Sequence, residues 1–480
     1  MTQEPASPNS TPAAEKLNFF TKLAYGAGDL GTAITANLLA FFLLVFLTNV
    51  AGLPAGLAGS IYMIGKISDG INDPIIGVLS DRTVHPWGRR YPWMVFGAIP
   101  FGFFFLLQWI VPSTNIWVLF WYYVIVSVLF NLCYTIVNLP YAALTPELTS
   151  DYHERTSLNS FRFAFSIGGS IFSLILALIL SQFFPNPKTY YFILGLICAI
   201  ISVVPIFWCV LGTRHRTLPA SNSSSNPTTD STDSSDNIPF IEQIKIVFKN
   251  RPFLFVTGIY LCSWLGVQLT AAILPYYVEN RMQLSATDFQ LAAIAVQGTA
   301  ILMLFVWSRV SKRYGKRAVY FMGMSLWLMA QIGLWFLQPG QVTLMYILAV
   351  LAGFGVSIAY LIPWSMIPDV VDLDELNTGK RREGIFYSFM VFLQKLGLAV
   401  GLFLVGQSLE IAGFISQTPG QPVPEQPDSA ILAIRVAIAP IPAIVLILGI
   451  ILTYFYPITE AVHDGILLKL NERKRQQENP

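Results

Sequence analysis

The feature that most constrains this chain is a succession of apolar stretches, each about 20 residues or longer, the length a helix needs to cross roughly 30 Å of hydrocarbon. About twelve can be counted by that length, over approximately 27–50, 54–80, 92–112, 115–141, 159–184, 189–212, 252–277, 286–308, 317–338, 342–367, 384–413 and 430–456. In lipid, backbone N–H and C=O groups must be satisfied internally, so runs of this length are read as helices. Charged residues make up 12% of the chain, against roughly 25% in a soluble domain. The sequence thus predicts an all-α polytopic membrane protein. The polar start MTQEPASPNSTPAAEKLNFF has no basic region, short apolar core or cleavage site, so the first span is expected to act as the insertion signal. Cys133, Cys198, Cys209 and Cys262 lie in apolar stretches and form no CxxC, which points to buried thiols rather than zinc or disulfides. No HExxH, nucleotide-binding P-loop or redox motif occurs, so enzymatic chemistry, ATP-driven work and a cofactor have no residues to rest on. A net charge of +2 gives no sign of a nucleic-acid partner.

Between the sixth and seventh spans lies RHRTLPASNSSSNPTTDSTDSSDN, a polar linker unable to bury a core. It divides the chain into an N-terminal six-helix half at 22–212 and a C-terminal half at 252–458. Around them we expect a tail at 1–21, the linker at 213–238, an amphipathic helix at 239–251 with Ile241, Ile244 and Phe248 against the bundle, and a second tail at 459–480. Positive charge collects in alternate connections: Arg82, Arg89 and Arg90; Arg214 and Arg216; Lys312, Arg313, Lys316 and Arg317; Lys380, Arg381 and Arg382; and Arg473, Lys474 and Arg475 at the end. The positive-inside rule then places both termini in the cytoplasm of a cell whose inner or plasma membrane holds the protein. LSDRTVHPWGRR after the second span is echoed by WSRVSKRYGKR after the eighth, each with a glycine that permits a sharp turn. Two six-helix halves, a central linker and this paired loop resemble the major facilitator superfamily of secondary transporters.

One stretch breaks the apolar rule. SDGINDPIIG, residues 68–77, puts Asp69 and Asp73 inside the second span, where a single aspartate costs roughly 2.5–3.5 kcal/mol at a helix centre. Lys66, Asp69 and Asp73 share one helix face, which must look inward. Pro74 donates no hydrogen bond and so frees the Gly70 carbonyl. With the Asn72 amide oxygen, these groups suit a hard monovalent cation or a shared proton. The alternative is a structural Lys66–Asp69 salt bridge, which accounts for one aspartate more readily than for two.

The segments KLAYGAGDLG (22–31), ISDGINDPIIGVLSDRT (67–83), WGRRYPW (87–93), YTIVNLPYAAL (134–144), FKNRPFL (248–254) and DVVDLDELNTGKRREGIFYS (369–388) resemble the glycoside-pentoside-hexuronide:cation symporters, the family of the melibiose carrier. That resemblance implies uptake of a sugar or glycoside coupled to sodium, a proton or lithium, with no cofactor, a small-molecule substrate and a monomeric unit in the bilayer. It implies cation ligation by Asp69, Asp73 and Thr135, with Asn72 beside them, and a functional lysine at Lys395. It also implies a sugar-binding arginine at Arg162, for which snorkelling to the interface is the alternative. Where the melibiose carrier has sugar-binding carboxylates, this chain has Ala33 and Asn138, and Ala142 replaces a supporting aromatic. Melibiose recognition is therefore not expected to carry over. Asp29, one turn before Ala33, has two open placements: the same cavity, or a contact with a basic loop.

Two other classes compete with this reading. A lysophospholipid or other amphiphile carrier of the same superfamily would suit the missing carboxylates. An intramembrane aspartyl protease would use GAGD at 26–29, but it needs a YD partner on an earlier helix.

Overall fold

A computed structural model describes residues 17–149, 152–215, 240–379, 382–416 and 424–478. Most of the expected N-terminal tail and linker, with Lys380, Arg381 and the Ile241 and Ile244 side chains, lie outside the described residues.

Among the described residues the chain is helical, without strands. Its spans are α1 (19–50), α2 (Ala55–Asp81), α3 (Tyr91–Leu107), α4 (Ile116–Ala142), α5 (Tyr152–Phe183) and α6 (Pro187–Thr213) in the first half. The second half comprises α7 (Arg251–Arg281), α8 (286–314), α9 (316–336), α10 (Val342–Thr378), α11 (Glu383–Ile411) and α12 (Asp428–Phe455). The α8–α9 pair runs as one 51-residue helix except at Gly315, whose φ of 79° breaks it. Gly88, in the matching loop of the first half, has φ 92°. Both echoed loops thus turn on a backbone conformation that costs glycine alone nothing. Large apolar side chains such as Phe96, Ile99, Trp117, Trp121, Phe183 and Phe336 are exposed, the outward face of a multi-pass protein that lipid covers.

The expected boundaries shift in places. Helix α10 continues past 367 to Thr378, because the segment DVVDLDELNT leaves the apolar zone without leaving the helix. The amphipathic segment forms a helix at Phe240–Lys249, in which, among the described side chains, Val247 is buried while Phe248 is 55% exposed. The helix stops at Asn250, whose side chain accepts from the Phe253 N–H at 3.1 Å and so caps the start of α7.

The halves are joined at the end away from the basic loops. The Thr48 and Tyr276 hydroxyls are 2.7 Å apart. The Gly56 N–H donates to Glu410 Oε2 at 2.5 Å, and Gln407 donates to the Gly56 carbonyl at 3.2 Å. Ser416 donates to the Leu53 carbonyl at 2.8 Å, and Gln290 links Ser181 to Tyr190. At this end one apolar core runs through both halves, whereas the second half has a separate core toward the basic loops. Helices α2 and α11 approach closely: a Cβ on Gly406 would lie 2.6 Å from the Ala55 carbonyl oxygen and 2.9 Å from Gly59 Cα. Small residues allow that approach, as they do wherever membrane helices pack without a solvent-driven hydrophobic force. Gly406→Leu is expected to cost about 1–3 kcal/mol as an overpacking change, read as a fall of several degrees in the melting temperature of the detergent-solubilised protein. An unchanged melt would mean that the seam parts without cost.

Candidate functional site

Helix α2 is continuous through Pro74, so Lys66, Asp69 and Asp73 stand on one inward stripe. Asp69 is 1% exposed and Thr135, on α4, 2%. The Thr135 hydroxyl lies within donating distance of both carboxylates, 2.9 Å from Asp69 Oδ1 and 3.0 Å from Asp73 Oδ1. From the other half, Lys395 on α11 places its ammonium 2.5 Å from Asp73 Oδ2 and 3.1 Å from Asp69 Oδ2. Lys66 approaches Asp69 Oδ2 at 3.6 Å and donates to Asn131 Oδ1 at 3.2 Å. Both carboxylates thus face an ammonium, with a hydroxyl between them, and the charges of the four ionic groups sum to zero. This balance makes the cluster tolerable at such depth, since each buried ion carries a desolvation cost of several kcal/mol. Lys66 is one partner of a shared network, so the simple Lys66–Asp69 bridge describes only part of it.

Asn72 is not part of this network; its amide donates to Ser68 at 3.3 Å, because residue 72 projects from a neighbouring stripe of the helix. Asp29 and Arg162 meet at 3.4 Å, and the Asp29 carboxylate also accepts from Thr32 at 3.0 Å. The Arg162 guanidinium sits over the Tyr141 ring, 5.5 Å from its centroid. Of the two placements open for Asp29, the structure shows neither the cavity nor a basic loop, but an ion pair across α1 and α5. Arg162 is turned into the bundle rather than toward the interface.

Between the halves is a cavity of about 260 Å³. Ala33, Ala36, Asn37, Ala40 and Phe41 of α1 line one side, with Ser166 and Ser170 of α5. Trp264 and Gln268 of α7, Gln297 of α8, Trp327 of α9 and Tyr360 of α10 line the other. Arg162, Lys395, Asn138 and Asp29, the expected substrate contacts, are not among its lining residues. Asn138 is half-buried on α4, one turn beyond Thr135. The other three are drawn into ion pairs. The cavity side chains of α7 to α10 were missed in the sequence because tryptophan and tyrosine are common in apolar spans. The signal available was the pair of intramembrane amides Gln268 and Gln297, since polar side chains in such helices need partners.

Among the described residues, twelve helices in two halves around a central cavity form the major facilitator fold of secondary transporters. The sequence matches the family described as MFS/sugar transport protein over residues 24–460. It is 52% identical to an uncharacterized symporter of Synechocystis, over 96% of this chain and 98% of that protein. It is 29% identical to the isoprimeverose transporter of Lactiplantibacillus pentosus, over 99% and 96%. It is 28% identical to the sodium-dependent lysophosphatidylcholine symporter 1 of Xenopus tropicalis, over 95% and 91%. A solved D-xylose-proton symporter superposes with a TM-score of 0.62 at 15% identity, over 91% of this chain and 97% of that one, a likeness of fold. The chain belongs to the MFS/sugar transport family, in its glycoside-pentoside-hexuronide:cation symporter branch. It is an integral multi-pass membrane protein whose relatives move small molecules.

The charge balance of the cluster gives a stability test. Asp73→Asn leaves Lys66 and Lys395 facing a single carboxylate, and removing one partner of a buried pair costs up to about 3–5 kcal/mol, less here because Asp73 is partly exposed. A second change, Lys395→Gln, is expected to restore most of the lost melting temperature. Additive losses in the double variant would show that the two side chains are not coupled.

Proposed function

We propose that this protein is a cation-coupled symporter of a sugar or glycoside, with sodium or a proton, and with lithium as a possible substitute, as the coupling ion. The observation that carries this reading is the placement of the Lys395 ammonium against both aspartates, with Thr135 between them. An ammonium ion-paired with two carboxylates stands where a monovalent cation would be held. Asp69, Asp73 and Thr135 supply oxygens for such an ion, and Pro74 leaves the Gly70 carbonyl without its usual helical donor.

In this scheme the cation displaces Lys395 from the carboxylates and loosens one bond between α2 and α11, the helices that link the halves. Alternating access follows from the two arrangements of that link. Coupling is reciprocal: a cation that raises sugar affinity tenfold contributes about 1.4 kcal/mol, and sugar raises cation affinity by the same factor. With the basic loops in the cytoplasm of a cell bounded by its inner or plasma membrane, the seam described above closes the outer side and both termini lie inside. The lysophospholipid reading draws its support from the many alanine, valine and leucine positions of the cavity wall and from the Xenopus relative.

The test is uptake into proteoliposomes under imposed sodium or proton gradients. Asp69→Asn is expected to abolish gradient-driven sugar uptake while the protein still inserts. Thr135→Ala, which removes one ligand and one hydrogen bond to a charged group, is expected to lower uptake about tenfold. Wild-type uptake in Asp69→Asn would overturn the coupling site. Gradient-driven uptake of lysophosphatidylcholine in place of any sugar would establish the second reading.

A further inference from the structure

We infer that the central cavity selects an uncharged sugar or glycoside and holds it mainly from the second half, by aromatic contact with Trp264 and Tyr360 and hydrogen bonds from Gln268 and Gln297. This rests on the sugar-symport reading and adds to it the charge class of the substrate and the residues that read it.

The first line of support is charge. No aspartate, glutamate, lysine, arginine or histidine appears among the described lining residues. The cations one would assign to a uronate or a sulfonated sugar, Arg162, Lys66 and Lys395, all lie outside the lining, and Arg162 is paired with Asp29. An anionic sugar would therefore sit unpaired against this wall whether or not a cation has displaced Lys395, at a desolvation cost of several kcal/mol.

The second is the shape and chemistry of the wall. Trp264 and Tyr360 meet edge to face, with ring centroids 5.6 Å apart and planes at 78°. Such rings offer an apolar surface to the C–H face of a sugar. Gln268 and Gln297 each carry a donor and an acceptor, which matches a hydroxyl that both gives and receives. Across the cavity, Ala33, Ala36 and Ala40 leave room rather than contacts. The aromatic set continues through Tyr260, Trp364 and Tyr387.

The third is size. A cavity of about 260 Å³ lies just below the roughly 300–1,000 Å³ of pockets for drug-sized ligands, which suits a mono- or disaccharide better than a lipid with its acyl chain.

The test uses the full-length protein in detergent and compares matched ligands: xylose, glucose, galactose, their methyl glycosides and common disaccharides against glucuronate and galacturonate. Binding is read by calorimetry and thermal shift, with and without sodium, at pH 5.5 and 7.5. At least one neutral sugar is expected to bind and the uronates are not. Trp264→Ala is expected to weaken that binding roughly tenfold or more, as removal of a central aromatic anchor does, while Trp264→Phe keeps most of it. Ala36→Phe, which fills the cavity from the opposite wall without touching Trp264, is expected to abolish it. In all three variants the thermal shift produced by the coupling ion alone should persist, which shows that they are folded. Tighter binding of a uronate, neutral-sugar affinity unchanged in Trp264→Ala, or no binding of any neutral sugar would overturn the inference. Failure of the underlying symport reading looks different: wild-type protein would show no response to sodium or pH, or would be stabilised by lysophosphatidylcholine alone.

Discussion

The structure depends on one ionic contact across the middle of the molecule: the Lys395 ammonium between Asp69 and Asp73. Two carboxylates in a span are untenable alone, and so is a lysine in the apolar run FLQKLGL. Each half supplies what the other lacks. Neither α2 nor α11 can be regarded as a stable independent element, since parting them without a substitute cation leaves charge unpaired at a depth where water is scarce.

The same two helices carry the close approach of Gly59 and Gly406 and the Glu410 contact to the Gly56 N–H. One contact of the pair is therefore packing and backbone hydrogen bonding near the end of the bundle, and the other is electrostatic and near its middle. Packing of glycine against glycine is insensitive to ions, whereas the Lys395 contact competes directly with any cation that can reach the aspartates. In the proposed scheme this asymmetry gives an ion leverage over the relation between the halves. It does so without requiring the ion to touch the cavity, whose walls come from α1, α5, α7, α8, α9 and α10.

Much of the architecture was legible because hydropathy over 20-residue windows depends on composition rather than detail. The spans were visible in this way, and the turning glycines Gly88 and Gly315 through the two echoed basic loops that hold them. Helix α2 is not among the helices apolar enough to cross a membrane by composition alone; it was read as a span from its length, with its charges gathered on one face. Helix ends were less legible: hydropathy reports where the membrane stops, and α10 continues beyond it. Asp69, Asp73 and Lys66 could be grouped from helical periodicity, while Thr135 and Lys395 entered through family resemblance, since no local pattern links positions 66 and 322 residues from Asp69 and Asp73 respectively. Asp29 and Arg162 were undecided because their partnership is formed across helices. The wall built by Trp264, Gln268, Gln297 and Tyr360 was invisible, because aromatic and amide side chains in a span look alike whether they face lipid, a neighbour or a cavity.

The most direct measurement is the sodium dissociation constant of the purified protein and of its Lys395→Met variant, by calorimetry at a pH where the wild type responds to sodium. Two unit charges 4 Å apart interact by about 4 kcal/mol at an effective dielectric constant of 20, so relief of even a fraction of that competition is large. The account predicts that the variant binds sodium at least about tenfold more tightly, because the ammonium that occupies the site is gone. Equal or weaker binding in the folded variant would contradict it, and would make Lys395 a support of the cation site rather than the cation's competitor.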